Sequence, residues 1–178
     1  TTVGLDVETG AINETPHPIR AFTQYKHSTE DHQAVNDSTI FNQGNITANN
    51  QNGFAAVGIA ASAFNGYATI FNYGDIVATS KYYSVGLVSG SYYYDATVIN
   101  TGDITATGDD AIGINARTVF GDAYVYSSGN INAAAQYYTA LGINASTYYG
   151  DATVRNSGDI AASSENDVAT GINATTRY

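Results

Sequence analysis

Two short motifs return in step along this chain. Gly-Asp-Ile or Gly-Asn-Ile stands at Gly44, Gly74, Gly102, Gly129 and Gly158, with gaps of 30, 28, 27 and 29 residues. Gly-Ile or Gly-Leu stands at Gly58, Gly86, Gly113, Gly142 and Gly171, with gaps of 28, 27, 29 and 29. A period of about 28 residues shared by two motifs is the mark of stacked repeats, in which each unit buries its apolar face only against its neighbours. The chain should therefore form an elongated stack and not a globule around a central pocket.

Within each copy, three short segments alternate with period two. In the clearest copy, Asp95 to Ala116, the first segment carries Ala96, Val98 and Asn100 on one parity, the second Ile104 and Ala106, the third Ile112, Ile114 and Ala116. The last copy keeps the pattern with Ala152, Val154, Asn156, then Ile160 and Ala162, then Ile172 and Ala174. Alternation over four to six residues reads as half-buried strands, and no stretch carries a helical period. The predicted fold class is all-β: a single-stranded β-solenoid, or β-helix. It has three short strands per rung of about 28 residues, five clear rungs, and an irregular N-terminal rung or cap. The whole chain, 1–178, reads as one solenoid domain with a narrow Ala/Val/Ile core. Five rungs stacked at roughly 4.8 Å would span about 24 Å.

The column Asn42, Asn72, Asn100, Ser127, Asn156 ends the first strand of each copy. An inward Asn at a corner can donate to the carbonyl of the next rung and build an amide ladder. The glycine two residues later (Gly44, Gly74, Gly102, Gly129, Gly158) suits a corner that needs positive φ. Both columns are expected to be structural.

Charge excludes several classes of function. Six Lys plus Arg stand against sixteen Asp plus Glu, a net charge of −10. Nucleic acid and anionic lipid both need a basic patch, so neither is an expected partner. The chain lacks Cys, Met and Trp. Missing Cys removes disulfides and zinc-thiolate sites, and no apolar run reaches transmembrane length, so membrane insertion is not expected. Starting at Thr1 with no signal peptide suggests a processed mature chain or a fragment. Sequons such as Asn45-Ile46-Thr47 and Asn144-Ala145-Ser146 arise readily by chance in an Asn/Thr/Ser-rich chain.

The phrase GDAxVxNSGDIxAxSxxxxAxGINA, from Gly150 to Ala174, resembles the repeats of bacterial autotransporter passengers and haemagglutinin-like surface adhesins, over roughly Asp37 to Tyr178. That resemblance implies export, display at the cell surface and a β-solenoid fold. It implies no catalytic residues. The membrane-anchoring barrel and the secretion domain are missing from this sequence, so they lie outside it or the chain works as a detached subunit.

The N-terminal segment departs from the pattern. Thr1 to Val7 reads as a third strand through Val3, Leu5 and Val7, but residues 13–36 break the repeat. That stretch holds both prolines (Pro16, Pro18), all three histidines (His17, His27, His32) and the basic residues Arg20 and Lys26. It reads as a degenerate rung, an inserted loop, or a cap and junction over the open end, since terminal solenoid units are usually atypical. The histidine spacings of 10 and 5 fit no zinc signature, and Ser28, Asp31 and His32 cluster locally without making a triad.

Outward columns remain. One acidic row holds Asp75, Asp103 and Asp159, with Asn45 and Asn130 in the same slot; a second holds Asp95, Asp122 and Asp151. Like charges one rung apart repel by roughly 1 kcal/mol at water-like screening. The rows could attract calcium, or serve as turn formers, since Asp and Asn share that ability. The Gly-Gly-x-Gly-x-Asp calcium repeat is absent. No cofactor is expected, and no basic partner recurs beside the acids to suggest an enzyme. An aromatic row, Tyr93, Phe120, Tyr149 and Tyr178, falls five residues after Val88, Asn115, Asn144 and Asn173. Three uses are open for it: stacking on surface glycans, contact between chains, or cross-rung stability alone.

Thr1 and Tyr178 fall at nearly the same phase of the rung, so one subunit's last rung could stack on the next one's first. A head-to-tail contact that does not close makes a filament. The sequence thus points to an extracellular, non-enzymatic structural protein of a bacterial surface that assembles with itself into a fibre with an adhesive or biofilm role. The alternatives are a fragment of an autotransporter-type adhesin, and a glycan-binding or glycan-cleaving solenoid.

Overall fold

The computed structural model describes residues 19–22 and 37–178. These residues form a β-solenoid of five rungs. The first rung is β2 (Ser38–Asn42), β3 (Ile46–Asn50) and β4 (Ala55–Ala63); the second is β5 (Ala68–Asn72), β6 (Ile76–Ser80) and β7 (Tyr83–Ser91). The third is β8 (Ala96–Asn100), β9 (Ile104–Gly108) and β10 (Asp110–Arg117); the fourth is β11 (Ala123–Ser127), β12 (Ile131–Ala135) and β13 (Ala140–Thr147). The fifth is β14 (Ala152–Asn156), β15 (Ile160–Ser164) and β16 (Ala169–Thr176). One further strand, β1 (Ile19–Phe22), precedes them. No helix occurs among the described residues, so none there could cross a membrane.

Like strands of successive rungs pair in parallel, giving three sheets: β2-β5-β8-β11-β14, β3-β6-β9-β12-β15 and β1-β4-β7-β10-β13-β16. A parallel pair needs a long connection between its strands, and here the remainder of the rung supplies it. Register follows the motif spacing: Ile76 pairs with Ile46 and Ile104, and Ile114 with Leu87 and Ile143.

The core is a set of axial columns. Ile40, Ile70, Val98 and Val125 from the first sheet meet Ile46, Ile76, Ile104 and Ile131 from the second and Ile59, Leu87, Ile114 and Ile143 from the third. Complete burial of each such side chain stabilises by about 1.5–3 kcal/mol. Small residues fill the remaining inward positions, including Ala106, Ala111, Ala133 and Ala140, which keeps the core narrow and forces the large aromatics outward.

The glycines are selected by contact and not by unusual backbone conformation. At Gly74, Gly102, Gly129 and Gly158 a Cβ would run into the glycine carbonyl of the preceding rung, and φ lies outside the left-handed region expected from the sequence. At Gly58, Gly86, Gly113 and Gly142 a Cβ would collide with Cγ2 of Ile76, Ile104, Ile131 and Ile160, which nest over them.

At the N-terminus, β1 pairs with β4 through Ile19↔Ile59 and Phe22↔Ser62. Residues 19–22 therefore add a third-sheet strand inside the stretch 13–36, where the repeat pattern breaks. The expected strand at Thr1–Val7 lies outside the described residues, as do Pro16, His17, Pro18, His27 and His32.

Candidate functional site

Side chains that repeat once per rung form four kinds of axial row. The first is the corner amide ladder. Nδ2 of Asn42 donates to Oδ1 of Asn72 at 2.7 Å, and Nδ2 of Asn72 to Oδ1 of Asn100 at 2.7 Å. Each amide also donates to the carbonyl of the glycine two residues on: Gly44 at 2.6 Å, Gly74 at 2.7 Å and Gly102 at 2.7 Å. The acceptor in the next rung is thus a side-chain oxygen, not the backbone carbonyl expected from sequence. A second amide ladder, which the sequence reading missed, runs on the third sheet with opposite polarity: Asn173 donates to Asn144 at 2.7 Å, and Asn144 to Asn115 at 2.9 Å.

The acidic rows are backbone caps. The amide of each rung donates to the Asx Oδ1 of the rung before: Asp75 to Asn45 at 2.8 Å, Asp103 to Asp75 at 2.9 Å, Asn130 to Asp103 at 2.7 Å and Asp159 to Asn130 at 3.0 Å. Either Asp or Asn offers that oxygen, which explains why the slot holds both. The second row behaves alike, with Asp122 on Asp95 at 2.9 Å and Asp151 on Asp122 at 2.8 Å. The same slot starts two rungs earlier than Asp95, where the Tyr67 amide donates to Oδ1 of Asp37 at 2.9 Å, and Tyr67 itself interrupts the row. Oδ2 of Asp122 takes the Tyr124 hydroxyl at 2.6 Å. The Asp151 amide and this hydroxyl together hold the Asp122 carboxyl below its usual range. The phenol of Tyr124 is pushed up to about 12. Among the described residues no three His, Cys, Asp or Glu gather closely enough to hold a metal ion.

The aromatic row forms one stack along the axis. Ring centroids lie 5.4 Å apart for Tyr93–Phe120, 5.1 Å for Phe120–Tyr149 and 5.8 Å for Tyr149–Tyr178, with interplanar angles of 10°, 8° and 29°. A neighbouring column extends it: Phe64 stacks on Tyr92 at 5.1 Å, and Tyr92 meets Tyr93 edge-on. Exposure runs from 46% at Phe120 to 77% at Tyr178. Inside the stack each ring spends its faces on its neighbours and shows water its edge. Sugars bind aromatic rings on the face, so this geometry favours cross-rung stability and edge contacts with another chain over glycan stacking.

A Ser/Thr column holds the stack in place. Oγ1 of Thr118 donates to the Tyr94 carbonyl at 2.8 Å and accepts from the Gly121 amide at 3.2 Å. Thr147 and Ser91 repeat the arrangement. The signal was present in the sequence as Ser/Thr two residues before each stacked ring: Ser91-Tyr93, Thr118-Phe120, Thr147-Tyr149 and Thr176-Tyr178.

The fifth rung differs from the others in cover. Ile172 is 47% exposed, whereas its column mates Ile59, Leu87, Ile114 and Ile143 are all at 0%. The outer edges of β14, β15 and β16 carry no paired strand among the described residues. Comparison with protein-family models, with curated proteins and with solved structures finds no significant match.

Proposed function

We propose that this chain is a structural rod displayed outside a bacterial cell, stacking end to end with further copies into an adhesive fibre. The observation that carries the proposal is the uncovered fifth rung. Its inward residues are of the same kind as those buried in the interior rungs, and its strand edges continue three parallel ladders. A further rung in the same register would bury Ile172 and pair β14, β15 and β16. It would also bring amides toward Oδ1 of Asp151 and Asp159, the next acceptors in the two acidic rows.

An open parallel edge with an apolar centre is a template for another chain, and a contact that repeats without closing propagates as a filament. Support for the extracellular setting comes from the likeness to autotransporter and adhesin repeats and from a strongly acidic, Asn/Thr/Ser-rich surface. Contact is the proposed role, not catalysis.

Negative-stain electron microscopy across a range of protein concentrations tests the reading. Fibres that lengthen with concentration, with an axial repeat set by the five-rung unit, are the expected result. Short rods of constant length at every concentration would overturn self-assembly and favour a segment of a longer adhesin, in which the next rung comes from the same chain.

A further inference from the structure

The third-sheet glycines are set by the rung that follows each of them. A Cβ at Gly58, Gly86, Gly113 or Gly142 would run into the carbonyl of the next glycine in the column and into Cγ2 of an isoleucine one rung on. Gly171 ends the column. A Cβ there would meet only Cγ2 of Ile160, in its own rung, at 3.7 Å, which is ordinary contact, and its φ lies outside the left-handed region. Nothing in the single chain therefore requires glycine at 171, and glycine inside a strand weakens it. Inheritance of the repeat does not account for it either. The column one residue earlier runs Val57, Val85, Ile112, Leu141 and then turns to Thr170. The fifth rung thus departs from the pattern beside Gly171 and keeps it at Gly171 and Ile172.

What Gly171 lacks is specific. Its column mates each face a carbonyl from a third-sheet strand and a branched methyl from a second-sheet strand, both belonging to the following rung. A solenoid rung stacked at about 4.8 Å supplies that pair together; a docked loop or helix does not. At its other end this chain carries such a rung. Ile46 on β3 and Gly58 on β4 head the same two columns, and β2 and β3 are the end strands of their sheets. Only β4 is covered there, by β1, through the four pairs from Ile19↔Ile59 to Phe22↔Ser62. Strand β16 engages its neighbour over a longer run, from Ala140↔Ala169 to Thr147↔Thr176. Among the described residues β1 has no second-sheet strand at its own level, so it cannot supply the methyl.

We infer that the fifth rung stacks on the first rung of a second copy, with β16 taking the place of β1 on that copy's β4. Gly171 then lies against the Gly58 carbonyl, and Ile46 nests over it. All three ladders continue in register, β14 on β2, β15 on β3 and β16 on β4. Strand β1 is a stand-in that covers β4 until the β16 of another copy displaces it. The inference rests on the end-to-end reading and specifies its junction.

Sedimentation velocity over a concentration series, with a melting curve for each protein, tests it. Gly171→Ala should melt like the wild type yet need about tenfold or more protein to assemble, because its methyl group meets the Gly58 carbonyl. Gly142→Ala, at an interior member of the column, should lower the melting temperature. Arg20→Pro combined with Ala21→Pro removes amide donors from β1 and should lower the concentration at which chains assemble, since β4 is then uncovered. A wild type that stays monomeric at every concentration overturns the end-to-end reading and this junction with it. A wild type that assembles, matched by an equally competent Gly171→Ala, leaves that reading standing and overturns the junction. Assembly weakened by the proline pair also overturns it, since β1 would then be part of the contact.

Discussion

The Asn100 carboxamide reaches the Ser127 hydroxyl at 3.2 Å, a longer link than the 2.7 Å bonds that join Asn42, Asn72 and Asn100. Beyond Ser127 the ladder stops. Oδ1 of Asn156 is buried with no partner, because the short Ser side chain cannot extend a donor to the next rung. An Asn at 127 has that donor, and the column already accommodates Asn at three preceding rungs. Ser127→Asn should therefore raise unfolding free energy by about 1–2 kcal/mol, from one new hydrogen bond and one relieved orphan. Chemical denaturation measures this; an unchanged or lower midpoint would show that the corner lacks room.

Removing a rung of the ladder should do the opposite. Asn100→Ala strands Gly102's carbonyl and takes away the Asn72 donor's partner at a site that is 1% exposed. A loss of about 2–3 kcal/mol is expected. The same change at Asn173, which is half-exposed and forms one ladder bond, should cost under about 1 kcal/mol.

The acidic rows make a separable prediction, since the cap needs an oxygen and not a charge. Asp103→Asn keeps Oδ1 for the Asn130 amide and removes repulsion from its neighbours, so stability should change by less than about 0.5 kcal/mol. Asp103→Ala loses the cap and should cost about 1 kcal/mol. Melting temperatures of the three proteins, each with calcium and with a chelator, check this. A chelator-sensitive wild type that becomes insensitive in Asp103→Asn would instead make the row a cation site.

The Asp122–Tyr124 pair sets the pH response. The folded carboxyl of Asp122 is depressed, so its contribution is present above the unfolded carboxylate range near pH 3.9 and is lost as pH falls through the folded value. The phenol is raised to about 12, so its contribution is present below about pH 10 and is lost as pH rises through 12. In Asp122→Asn the Tyr124 phenol should titrate closer to 10, read from its own ring carbon by NMR. A titration left near 12 would assign the shift to another cause.

Much of this architecture was legible because a stacked fold writes its contacts into a period. The parity of Ala96, Val98 and Asn100 gave the inward face of β8, and the spacing from Gly74 to Gly102 equals the register of the rungs they join. What escaped has physical reasons. Strand β1 sits 40 residues from its partner, Ile19 against Ile59, and Ile-Arg-Ala-Phe carries neither glycine motif. The Asn115–Asn173 ladder begins only at the third rung, where Ala60 and Val88 give way to Asn, so no five-fold column announced it.

The uncovered rung supplies the sharpest test of assembly. Ile143 and Ile172 occupy the same column, paired in register on β13 and β16, but one is at 0% exposure and the other at 47%. A charge at 143 would be buried within the stack, so Ile143→Lys should unfold the protein or cost more than about 4 kcal/mol. A charge at 172 can reach water in the isolated chain, so Ile172→Lys should leave its melting temperature nearly unchanged. In an end-to-end contact the same lysine would have to enter an apolar rung interface. Sedimentation velocity should then show Ile172→Lys as a single small species at concentrations where the wild type grows into larger assemblies. If Ile172→Lys is folded and assembles as readily as the wild type, the fifth rung is not the contact, and end-to-end stacking through it is wrong.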